Sequence, residues 1–218
     1  MTYSVFFRLL GLLSCLTAVC LLTGCGTAPE ETTPPTVPTE TVPALEPLPD
    51  SELYYGEILK ISYNEDGSLS RLLMESPKDG KWGMNLGEET LYIDSGRRIP
   101  FDPQTLQEGD RVYVFRSPIT ARSLPPQSPA FVVLNNIPMD ASCAMYHLVE
   151  EASQKDGTLT VTTDHGKLRL AADETTVFLN AQGEAVDCSI PETGTHVLAW
   201  YWNQGETTLH PSHLMLLP

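Results

Sequence analysis

The chain has almost no helical signal. No long stretch of its 218 residues repeats apolar positions at a 3.6-residue spacing, which excludes a helical fold. The best helical candidate is a single turn, with Asp102 as cap, Pro103 at the first position, then Gln104-Thr105-Leu106. Positive charge is scarce as well: 13 Lys and Arg stand against 28 Asp and Glu, a net charge of −15. Such a surface repels phosphate backbones, so no nucleic acid and no anionic headgroup is expected as a partner. Cations and basic peptides are tolerated, although a solvated acidic face is the usual meaning of such a balance. Catalytic signatures are missing. There is no Gly-x-Ser-x-Gly, His-Glu-x-x-His, Cys-x-x-Cys or phosphate-loop pattern, and the plentiful carboxylates single out no acid–base pair. The expectation is a protein that is not an enzyme and carries no cofactor.

Long hydrophobic runs are also absent. Residues 9–22 are the most apolar, but Gly11, Ser14 and Thr17 interrupt them, and they fall short of the roughly 20 residues a membrane span requires. They follow the lone Arg8 and precede Leu22-Thr23-Gly24-Cys25, the pattern of a lipobox. Residues 1–24 therefore read as a lipoprotein signal peptide, cut before a lipidated Cys25. A plain secretory signal with an incidental cysteine and an uncleaved anchor are the alternatives. Two acyl chains on Cys25 suffice for stable anchoring where one is marginal. The expected location is extracytoplasmic, lipid-anchored to the cell membrane.

Residues 25–51 read as a tether. Seven prolines among Thr and Glu leave too little apolar surface to offset ordering entropy, and they favour extended polyproline II. Without residues 1–24 the chain keeps 12 bases and 28 acids, a charge of −16. Of five cysteines, Cys15 and Cys20 leave with the signal and Cys25 takes the lipid. An outside compartment permits a disulfide between Cys143 and Cys188, with two free thiols as the alternative.

The remainder reads as all-β. Leu159 and Val161 alternate with Thr158, Thr160 and Thr162, and Leu168 and Leu170 alternate with Lys167 and Arg169. Val112-Tyr113-Val114-Phe115 and Phe131-Val132-Val133-Leu134 are apolar runs of strand length. Asp66-Gly67, Asp79-Gly80 and Asp156-Gly157 supply hairpin turns. The pattern also repeats. Asp66-Gly67-Ser68-Leu69 matches Asp156-Gly157-Thr158-Leu159, and Glu89-Thr90-Leu91-Tyr92-Ile93-Asp94 matches residues 174–180. Gly109-Asp110-Arg111-Val112-Tyr113-Val114-Phe115 matches Gly194-Thr195-His196-Val197-Leu198-Ala199-Trp200. Two tandem modules follow, 52–136 and 137–218, each of about five short strands. Closing such strands into a small barrel removes their exposed edges.

The segments Glu57-Ile58 to Asp66-Gly67, Glu89-Thr90 to Asp94, and Leu106-Gln107-Glu108-Gly109-Asp110-Arg111-Val112 resemble an OB-like module. It recurs in cell-surface lipoproteins of Gram-positive, clostridial-type anaerobes. Residues 120–130, with Pro125-Pro126-Gln127, are similar to another segment of that group; the second unit keeps only Leu209-His210-Pro211. That family has no assigned activity. The resemblance implies two OB-like barrels and a surface location, and no chemistry.

Two groups of side chains are candidates for a site. All five histidines, His147, His165, His196, His210 and His213, lie in the second unit. Only His210 and His213 are close, and Pro211 puts them in a loop, so the expectation is solvated histidines and no metal. Trp200-Tyr201-Trp202 places two indoles on one strand face, and with Trp82 these form the candidate stacking surface for a carbohydrate. Against that, Leu198 and Trp200 oppose Val197 and Ala199, as Tyr113 and Phe115 oppose Val112 and Val114. A strand apolar on both faces is covered on both sides, which predicts a buried Trp200 at a module interface. The expected function is a non-catalytic binding or scaffold component for an extracellular protein or glycan, with carbohydrate binding through exposed aromatics as the alternative.

Overall fold

The computed structural model describes residues 46–137, 143–202 and 205–218, all within one compact unit, Leu45–Pro218. The signal segment, the lipobox with Cys25, and the tether up to residue 45 lie outside the described residues.

The first module is a closed five-stranded barrel. Strand β1 (Glu52–Tyr63) pairs antiparallel with β2 (Leu69–Ser76), and β2 with β3 (Gly80–Asn85). After β4 (Leu91–Asp94) and β5 (Ile99–Pro100), β6 (Arg111–Arg116) pairs with the other edge of β1, and β7 (Gln127–Asn135) with β6. The ring closes where Gly83, Met84 and Asn85 run parallel to Gln127, Ser128 and Pro129. Beyond that point β4 takes over the same edge of β7. Inward residues fill the barrel: Tyr54 and Ile58 on β1, Leu72 and Met74 on β2, Val112 and Val114 on β6. A bulge between Ile58 and Lys60 shifts the parity of β1, so Ile61 faces inward three residues after Ile58 instead of two. The helical turn forms as expected. Asp102 accepts the Gln104 amide at 3.0 Å before the 3-10 turn Pro103–Thr105, and Leu106 then enters the core.

The second module makes the same circuit with two strands broken. Strands β8 (Ala144–Leu148) and β9 (Glu151–Lys155) stand where β1 stands. Between them the chain changes partners: the Val149 amide donates to Thr195 O at 2.9 Å and the Glu150 amide to Thr162 O at 3.0 Å. Strands β9, β10 (Thr158–Thr163), β11 (Leu168–Ala172) and β14 (Thr208–Leu209) form one sheet. Strands β8, β13 (His196–Trp200), β15 (His213–Leu216) and β12 (Val177–Leu179) form the other. Parallel β11–β14 and β12–β15 pairs mirror β3–β7 and β4–β7. The β9–β10 turn has positive φ at both Asp156 (51°) and Gly157 (82°), the mirror-image turn that matches strand twist. The fold is all-β, two OB-like modules in tandem.

A third core joins them. Phe115, Val132 and Leu134 on the outside of the first barrel pack with Leu198, Trp200 and Met215 of the second, while Val197 and Ala199 face the second module's own core. Strand β13 is thus covered on both faces, and Trp200 is 1% exposed. Its indole N–H donates to Ser95 O at 3.0 Å, and the Ser95 hydroxyl accepts the Ala144 amide at 3.2 Å. At another point of the seam the backbones nearly touch. A Cβ on Gly183 would lie 2.4 Å from Arg98 O, and its φ is +80°. Gly183→Ala should therefore lower unfolding stability by about 1–3 kcal/mol, read from urea titration; an unchanged midpoint would contradict this packing.

One open alternative is decided and one expectation needs correction. No disulfide joins Cys143 and Cys188; both are free thiols. Cys143 is half-buried at the seam, 3.8 Å from Ser95 Oγ, and burial raises its pKa. Cys188 is exposed, 3.8 Å from Gln154 Nε2 on β9. Each thiol has its own neighbourhood, and the spacing of two cysteines in sequence does not bring their Cα atoms within bonding range. Nor does the tether run free up to residue 51. Leu48 O lies 2.9 Å from His165 Nε2, and Pro49, Asp50 and Ser51 line a cleft that the second module also walls.

Candidate functional site

The structure separates the three tryptophans. Trp200 is sealed in the seam and cannot stack on a ligand. Trp82 is half-buried at one end of the first barrel, 6.4 Å from the Tyr54 ring. The Arg116 guanidinium lies 3.7 Å over its ring and pairs with Glu52, so that face is already occupied. Only Trp202 is open, at 64% exposure. Strand β13 ends at Trp200, so the alternation expected to carry Trp200 and Trp202 on one face stops before it reaches Trp202.

The histidines divide too. His165 and His210 are exposed, but His147 lies on β8 and is only 9% exposed. It is not a solvated loop histidine. Its Nε2 is 2.9 Å from the buried Tyr201 hydroxyl, and burial pulls its pKa down to about 4. His196 stacks on Tyr146 at 4.8 Å. His213 meets the Trp200 ring edge-on. Among the described residues no group of three His, Cys, Asp or Glu is placed to hold a metal.

His147 belongs to a cleft of about 310 Å³ along the seam, within the range of small-ligand sites. Phe115 from the first module and Tyr201 and His147 from the second form its buried side, and Leu53, Met145 and Tyr146 are half-buried or exposed along it. The first module contributes through the outward positions of β1 and β6, where Leu53 pairs with Phe115. The second contributes through β8 and the residue that follows β13. Two carboxylates stand at the rim. Asp50 opposes ionisation of Tyr146 and favours the charged form of His196, while Asp164 opposes ionisation of Tyr201; desolvation is the larger influence on all three rings. Asp164 is held by an unusual turn. It and His165 and Gly166 all have positive φ, and the Glu150 carboxylate accepts the His165 and Gly166 amides. Among the described residues no lysine or arginine lines the cleft.

A groove of about 510 Å³ runs outside the first barrel between Tyr55, Glu75 and Arg111, but its chemistry is spent internally. Arg111 pairs with Glu57 at 3.5 Å, Glu75 with Lys81 at 3.9 Å, and the buried Ser76 hydroxyl accepts the Lys78 and Asp79 amides. The seam cleft is the better candidate. The sequence does not show it because its walls come from five separated segments, around residues 49–53, 115, 145–148, 163–168 and 201. The one local signal was Met145-Tyr146-His147-Leu148, a short run with a histidine between apolar neighbours.

No family model matches the chain, and no curated protein matches it. Among solved structures it is similar to drosophila Unr CSD456 at 15% identity and a TM-score of 0.24, over 78% of this chain and 63% of that one. The chain thus spans less than two thirds of that structure's length. One expectation changes with this match. The expectation of no nucleic acid partner, drawn from charge balance alone, is not kept beside it. A TM-score of 0.24 carries no argument for any particular ligand here.

Proposed function

We propose that this protein is a lipid-anchored, extracytoplasmic binding component, non-catalytic, that presents the seam cleft to its ligand. The supporting observation is the core shared by the two barrels, with Trp200 bonded across it to Ser95. A cleft between modules locked in this way keeps its shape before the ligand arrives, which reduces the ordering cost of binding. The lipobox supplies the location, and the resemblance to OB-like repeats of Gram-positive surface lipoproteins agrees with it. Binding is tested with glycans, basic peptides and oligonucleotides presented to the full-length chain. A ligand retained by the parent and lost with Tyr146→Ala, at matched melting temperature, is the expected result. If no binding depends on Tyr146, the cleft is not the site. Location is tested separately. Cys25→Ser should leave the chain unprocessed or release it from the membrane fraction, whereas normal cleavage with full membrane retention would remove the lipid anchor from the proposal.

The exposed Trp202 favours a second reading, carbohydrate binding on that indole. Trp202→Ala would then abolish glycan binding without moving the melting temperature. Glycan binding that survives the substitution removes this reading.

A further inference from the structure

Three properties of the seam cleft converge on one ligand chemistry. Its walls are apolar and aromatic, from Phe115, Tyr146 and Tyr201. Its rim carries Asp50 and Asp164 and, among its lining residues, no compensating lysine or arginine. Its buried side holds an imidazole with spare capacity. His147 Nε2 is engaged by the Tyr201 hydroxyl, and its other nitrogen has no hydrogen-bond partner among the described residues. When Nε2 carries the proton and donates to Tyr201, Nδ1 is left as an acceptor.

We propose that the seam cleft takes the side chain of a lysine in a basic peptide, the methylenes lying against Tyr146 and Tyr201 and the ammonium meeting Asp50, Asp164 and His147. This rests on the binding reading above and names its ligand. The chemistry selects each part. An ammonium has three donors and no acceptor, which suits a site made of two carboxylates and one neutral ring nitrogen. His196 stacks on Tyr146 and His147 on Tyr201, so these rings serve chiefly to bury the alkyl stem. Two carboxylates on separate segments, one before β1 and one after β10, fit a compact charge better than a guanidinium fork, which favours a single bidentate partner. The charge around the site agrees, since residues 139–218 hold three lysines and arginines against 11 acids, a field that draws cations toward the seam. The strap Pro49–Ser51 supplies Asp50, so the segment leading to the membrane also forms part of the site.

The test is isothermal titration of the full-length chain in detergent with two pentapeptides, one carrying a central lysine and the other norleucine, which keeps the stem and lacks the ammonium. The lysine peptide should bind at least tenfold more tightly, and Asp164→Asn and Asp50→Asn should each weaken it several-fold. Glu174→Gln removes the same charge from an exposed site in the same module and should change affinity less than twofold. His147→Gln, which keeps a polar acceptor, separates loss of the site from loss of fold through its melting temperature. Equal affinity for the two peptides overturns the proposal. So does an equal loss with Glu174→Gln, which would mean diffuse charge attraction. If a glycan or oligonucleotide binds in a Tyr146-dependent way while the lysine peptide does not, this inference fails and the binding reading survives. If nothing binds in a Tyr146-dependent way, both fail.

Discussion

Trp200→Ala should lower the melting temperature by on the order of 10 °C. Truncating a buried tryptophan costs about 3–5 kcal/mol, and a chain with about 170 folded residues shifts roughly 2–4 °C per kcal/mol. Two losses add at this position. The indole fills the core between Phe115, Leu134 and Leu198, and its N–H is the donor that reaches the Ser95 carbonyl from 105 residues away. Alanine leaves a cavity and a carbonyl without that partner. The transition itself should also change. The parent should melt in one step because the seam couples the barrels. The variant should broaden or split, since each barrel keeps its own core, around Leu72 and Val114 in the first and Leu159 and Val197 in the second. Differential scanning calorimetry reads both effects. A variant that melts with the parent in a single sharp transition would mean that the seam contributes little and that the modules are independent.

Stability should fall steadily as the pH drops from 6.5 toward 4. His147 is the cause. Its imidazole takes a proton at an ordinary 6.5 in the unfolded chain but only near 4 in the folded one, because burial disfavours the charge. Between those values the unfolded state holds more protons, so acid favours unfolding. Above 6.5 both states are neutral, and below about 4 both are charged, so the slope from this group ends at each side of the window. The full difference is worth about 3 kcal/mol. His196 and His213, also lowered chiefly by burial, act in the same direction. The carboxylates of Asp66 and Asp173 are lowered by hydrogen bonds from the Ser68 and Thr175 side chains, so their contribution is lost only at more acid pH. Urea titrations at pH 7.5 and 4.5 should show the parent losing about 2–3 kcal/mol. His147→Gln should lose clearly less. An identical loss in both proteins would assign the acid sensitivity to other groups.

The outcome at particular residues shows what could be read in advance. The Asp156-Gly157 turn was legible because positive φ at two successive residues tolerates few side chains. The Asp102 cap and the alternation of Leu159 and Val161 were legible because they depend on contacts within a few residues. Strand β13 was legible for a subtler reason: with both faces apolar, it had to be covered twice. The seam cleft was not legible. Leu53, Phe115, Tyr146 and Tyr201 are far apart in sequence, and only the closure of the first barrel and its docking on the second module bring them to one place. Nor could the stacking value of the tryptophans be read. Trp82 lost its free face to Arg116, which reaches it through the β1–β6 pairing of Glu52 with Arg116.

The sequence by itself determined a β-rich chain built as a duplication, with its turns and strand faces, because periodicity and turn chemistry act over short stretches. The tertiary structure decided where the modules meet. It decided which tryptophan is sealed, that the cysteines stay apart, that residues 48–51 lie against the second module, and that His147 is buried beside Tyr201. Each of these depends on contacts between segments tens of residues apart, and their partners become neighbours only when the strands assemble into modules and the modules share a core.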